Sequence, residues 1–151
     1  MMESLHPMVV HFPIGLLLTA LLIETLALLM KKPAWHRVSL WNLTLGTLAA
    51  AVAVLTGRQA MAAAKHSMEI HRIMELHERL GSLVLSLVAV IAGWRLIAKD
   101  RFRGGFRWVS WGLLAIVCGT MAFSAYLGGR MVYEFGVGGS YGRSGGIAVG
   151  K

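Results

Sequence analysis

Residues 8–30 read Met8-Val9-Val10-His11-Phe12-Pro13-Ile14-Gly15-Leu16-Leu17-Leu18-Thr19-Ala20-Leu21-Leu22-Ile23-Glu24-Thr25-Leu26-Ala27-Leu28-Leu29-Met30. A hydrocarbon core of about 30 Å takes roughly 17–25 helical residues to cross, and this apolar block is that long. Three more blocks follow, at about residues 40–64, 80–98 and 108–127, with short charged segments between them. An open sheet would leave backbone groups unpaired in lipid, so the blocks predict helices. The first block has no basic leader and no small-residue cleavage site, and Glu24 lies inside it. It therefore predicts a retained span and not a cleaved signal peptide.

Composition points the same way. Of 151 residues, 56% are hydrophobic and only 15% charged, with a mean hydropathy of +0.64. A soluble domain carries about 25% charged residues. The expected fold is all-α, a polytopic membrane four-helix bundle over residues 1–135, followed by a glycine-rich extension at 136–151.

Basic residues set the expected orientation. Lys31, Lys32 and Arg37 lie between the first two blocks without an acid, and Arg95, Lys99, Arg101, Arg103 and Arg107 face only Asp100. On the other side Arg58, Lys65, Arg72 and Arg79 are offset by Glu69, Glu75 and Glu78. The positive-inside rule places the first and third loops in the cytoplasm and both termini outside. Trp35, Trp41, Trp94, Trp108 and Trp111 gather at the same cytoplasmic boundary, where amphipathic rings settle. The net charge of +8 thus reflects membrane orientation and gives no reason to invoke nucleic acid. With this topology His6, His11, His66, His71 and His77 converge on the outer face, and only His36 sits on the inner one.

The opening His6-Pro7-Met8-Val9-Val10-His11-Phe12-Pro13-Ile14 resembles the start of a group of small bacterial four-helix membrane proteins, domain of unknown function 2231. Leu55-Thr56-Gly57, His77-Glu78-Arg79-Leu80-Gly81 and the tail Gly128-Gly129-Arg130-Met131-Val132-Tyr133-Glu134-Phe135-Gly136-Val137-Gly138 extend the likeness to about Gly139. Members sometimes occur fused to or beside cytochrome-like modules, so the resemblance implies electron transfer.

The histidines allow three readings. In the first, His11 and His77 are the axial ligands of one b-type haem held between facing helices. His6 and His71 would stand behind them, Arg72 or Arg79 would reach the propionates, and Gly15, Gly57, Gly81 and Ser82 would admit a flat macrocycle. The bland form of this site has His11 donating to a backbone carbonyl freed by Pro13. In the second, the run of histidines and methionines from His66 to His77 binds copper, which imidazole and thioether together favour. In the third there is no cofactor, and the chain is an accessory subunit or assembly factor whose polar groups hold helices together. Gly93, Gly112 and Gly119 would then permit close helix contact.

Glu24, an acid within an apolar span, predicts either an ion pair with Arg95 or a proton relay. Tyr133 and Glu134 are expected on the histidine face. Cys118 is the single cysteine, so no disulfide is expected. No motif assigns a catalytic residue, which points to a non-catalytic electron-transfer or accessory subunit. The expected setting is a bacterial inner membrane, with lipid, membrane or periplasmic redox proteins, or a second copy as partners.

Overall fold

The computed structural model describes residues 5–63, 68–98 and 104–134. They form α1 (Leu5–Val9), α2 (His11–Leu29), α3 (Pro33–Ala63), α4 (Met68–Ile97) and α5 (Gly105–Tyr133). The break after α1 has a local cause. Pro13 has no N–H, so the Val9 carbonyl loses the partner it would have four residues on. Val10 nevertheless keeps helical angles (φ −63°, ψ −22°). Its N–H donates to the His6 carbonyl at 3.1 Å and its own carbonyl accepts from Ile14 at 3.4 Å. The two pieces together make one apolar rod, His6–Leu29, long enough to span a membrane.

Three further helices meet the same criterion, over Pro33–Met61, Ile70–Ile97 and Gly105–Tyr133. The expected four-helix bundle is therefore present, with longer helices than the apolar blocks alone outlined. At 31 residues, α3 is about 46 Å long at 1.5 Å per residue. The α2–α3 turn is tight. Lys31 adopts a left-handed conformation (φ 53°), and the Lys32 N–H returns to the Ala27 carbonyl at 3.2 Å, which closes α2 in the manner of a Schellman motif. Pro33 then opens α3, where its missing N–H costs no helical bond.

Each helix shows the others one narrow stripe. On α2 it is Pro13, Leu17, Ala20, Glu24 and Ala27; on α5 it is Ser110, Leu114, Val117, Cys118, Met121, Ser124, Leu127 and Met131. Leu17, Leu43, Val84, Val88, Ile91, Leu114 and Val117 meet at the centre. Leu22, Leu48, Val90, Ile116 and other large apolar side chains face outward, as a lipid-facing surface requires.

α2 and α3 pack closely at Gly46. A Cβ on Gly46 would stand 2.8 Å from Leu17 Cδ2. At Gly93, Gly112 and Gly119, where the sequence suggested close contact, nothing lies within 4 Å of such a Cβ. Those glycines do not face the interior closely enough to set helix spacing. Gly46→Val should therefore lower unfolding stability in detergent by about 1–3 kcal/mol through overpacking, while Gly119→Ala should leave it within experimental error.

Candidate functional site

The two ends of the bundle carry different chemistry. At one end, His6 on α1 and His77 on α4 face each other with ring centres 6.5 Å apart and planes at 80°. Glycine makes room for both. A Cβ on Gly57 would lie 2.9 Å from His6 Cε1, and one on Gly128 would lie 3.3 Å from His77 Cε1. The imidazoles thus rest against the backbones of α3 and α5.

Hydrogen bonding fixes which nitrogen carries the proton. His77 Nδ1 lies 2.8 Å from the Ser124 carbonyl, which can only accept, so Nδ1 is the protonated nitrogen. The Thr56 hydroxyl lies 3.0 Å from the Val52 carbonyl, to which it donates. That leaves its oxygen to accept from His6 Nδ1 at 3.2 Å. His77 then presents the lone pair of Nε2, and His6 does the same in its Nδ1-protonated tautomer. An imidazole held through Nδ1–H with Nε2 available is the usual state of a metal-ligating histidine.

The other residues singled out from sequence are placed elsewhere. The ring that meets His77 is that of His6. His11 is exposed, and its Nδ1 donates to the Pro7 carbonyl at 2.7 Å. That carbonyl lies four residues back, and it is Val9, not Pro7, whose carbonyl Pro13 frees. His71 is exposed on α4, and His66 lies outside the described residues. Arg79 is paired with Glu75 on its own helix at 2.6 Å. Arg130 binds Glu134 at 2.7 Å and holds its carboxyl below the usual carboxylate range, and Tyr133 is 91% exposed. Neither Tyr133 nor Glu134 therefore serves the histidine face. Gly15 has nothing within 4 Å of its Cβ position, and Gly81 has only Val54 at 3.9 Å.

Helical phase is the signal that separates His6 from His11. Buried positions on α2 run Pro13, Leu17, Ala20, Glu24 and Ala27. Two turns before Pro13 on that stripe is His6, whereas His11 lies about 160° around the axis. The same count of seven links His77 to Val84, and Gly57 to Ala50.

At the opposite end lies a buried polar network. Glu24 of α2 accepts from Arg95 Nη2 of α4 at 2.8 Å and from His36 Nδ1 of α3 at 2.8 Å. Arg95 Nη2 also donates to the His36 carbonyl at 3.1 Å, and its Nη1 reaches Ser39 Oγ at 3.4 Å. Ser39 in turn donates to the Ala20 carbonyl at 3.0 Å. The expected Glu24–Arg95 pair is formed. His36, read from sequence as the odd histidine out, completes it. It too sits on a buried stripe, with Ser39, Leu43, Ala50 and Ala53. Trp111 Nε1 donates to Thr25 Oγ1 at 2.8 Å one residue along, tying α5 to α2.

Among the described residues, no group of three or more His, Cys, Asp or Glu is arranged to hold a metal ion. The fold and its polar clusters define a small multi-pass helical membrane protein. The chain belongs to the predicted membrane protein family DUF2231, whose family model matches residues 2–140. No curated protein and no solved structure matches it.

Removing one partner of a buried ion pair strands the other. Glu24→Gln and Arg95→Met should each lower stability in detergent by about 3–5 kcal/mol. The double variant should lose clearly less than the two losses added together, read from denaturant or thermal unfolding. Simple additivity would mean that the pair is not coupled.

Proposed function

We propose that this protein is an integral membrane component of electron transfer that ligates one b-type haem iron through Nε2 of His6 and His77. The observation that carries the reading is the pair of imidazoles with both Nδ1 atoms hydrogen-bonded and ring centres 6.5 Å apart. His6 and His77 would hold the iron between them. A bare transition-metal ion asks for three or four protein donors, and among the described residues two are brought together here. Haem brings four nitrogens of its own and needs only the axial pair. Buried Met74, Leu127 and Met131 add apolar surface along α4 and α5 at this end, as a macrocycle requires. When bound, the haem would supply one-electron chemistry. The residues of this chain orient the two rings and hold their Nδ1 protons.

The spectrum of the purified protein tests this. A Soret band with dithionite-sensitive α-bands is expected, lost in His6→Ala and in His77→Ala and kept in His11→Ala and His36→Ala. An ultraviolet-only spectrum from haem-replete cells would overturn the reading. One observation favours a cofactor-free accessory role instead. The same Nδ1 bonds tie α1 to α3 and α4 to α5, which is how polar groups join helices in lipid. Under that reading His6→Ala and His77→Ala change stability and no spectrum.

The orientation that suits the haem reading has the histidine end outside a bacterial inner membrane. It rests on the basic excess of 31–37 and 95–107 and on the tryptophans at the network end. Reporter fusions after Lys32 should be cytoplasmic, and a fusion after Lys151 external. A cytoplasmic C-terminus would reverse the assignment.

A further inference from the structure

A cation that neither ring uses bridges the segments that carry and face the two histidines. Arg58 follows Gly57, against which the His6 ring packs, and Glu78 follows His77. The Arg58 Nε–H donates to Glu78 Oε1 at 3.0 Å, and Nη2 reaches Ser82 Oγ at 3.4 Å. One guanidinium thus crosses from α3 to α4 next to both ring-bearing segments. Its Nη1 donors have no hydrogen-bond partner among the described residues.

This ion pair is open, with the Arg58 side chain 56% exposed and that of Glu78 34%. Exposed pairs of this kind are weak, so a second anion can compete for Arg58. The other arginines of α4 at this end are less well placed. Arg79 is held by Glu75 within α4, whereas Arg58 reaches across from α3.

We propose that Arg58 is the carboxylate-binding group of the histidine site and takes the propionates of its haem. This rests on the haem reading above. A haem has an apolar body and a doubly carboxylated edge. A half-buried pair of imidazoles flanked in sequence by an exposed guanidinium matches that division, and the planar fork of arginine suits a carboxylate in bidentate fashion. Glu78 is then the resident anion that the propionates displace.

The test compares haem with haem dimethyl ester, which has no carboxylate, by Soret titration of the full-length apoprotein in detergent. Arg58→Gln should weaken haem binding by roughly tenfold and leave the ester unchanged. Glu78→Gln breaks the same bridge between α3 and α4 but keeps the cation, and should bind haem at least as tightly as the wild type. Helicity and elution volume establish that each variant folds. Equal affinity of Arg58→Gln and wild type for haem overturns the role of Arg58 and leaves the histidine reading standing. Equal weakening for haem and ester, or weakening in Glu78→Gln to match Arg58→Gln, overturns it as well, because Arg58 would then only join helices. Absence of a Soret band from the wild type with either compound overturns the histidine reading, and this proposal with it.

Discussion

A carboxylate and a guanidinium that meet inside an apolar bundle constrain everything around them. Neither Glu24 nor Arg95 is tolerable alone in hydrocarbon, so each makes the placement of the other conditional. Their 2.8 Å contact fixes α2 against α4 at one register. The imidazole and carbonyl of His36 and the hydroxyl of Ser39 bring α3 into the same contact. Three helices are thereby locked at one end by a cluster whose formal charges cancel when His36 is neutral. Apolar packing of narrow stripes could slide by a turn with little change in buried area. The ion pair cannot.

The histidine end is built by a different rule. Each ring is held through an uncharged oxygen on one neighbouring helix, α1 to α3 through Thr56 and α4 to α5 through Ser124, and the one ion pair there, Arg58–Glu78, is exposed. Glycine replaces side-chain bulk at both contacts. One end is closed by charge and shape, and the other brings two imidazole rings to 6.5 Å between centres. The closed end gives the register that lets the looser one be accurate, since His6 and His77 belong to helices that do not follow one another in the chain.

Much of this was legible in the residues. Block length and composition specified the four spans, because lipid tolerates few backbone solutions. The Glu24–Arg95 pair could be anticipated because two ions of opposite sign in apolar spans have few other partners. The sequence suggests His11 as the partner of His77, but the ring that meets His77 is that of His6. Angular phase along α2 separates the two, since His6 continues the buried stripe and His11 does not. His36 was overlooked because counting histidines by membrane side says nothing about which face of a helix each occupies. Gly46 could not be told from Gly93, Gly112 or Gly119, since closeness depends on how two helices cross and not on one sequence. The tail at 136–151 lies outside the described residues.

The tight turn at residues 30–32 has a consequence for sidedness. It sets the ends of α2 and α3 flush with each other, so depth can be counted along both helices from one origin. Gly57 lies 25 residues along α3 from Lys32, or about 37 Å at 1.5 Å per residue. That exceeds the thickness of the hydrocarbon layer, about 30 Å. If the turn lies at one headgroup layer, the His6–His77 pair lies level with the other. The pair would then open to one compartment and the Glu24–Arg95 network would lie towards the other.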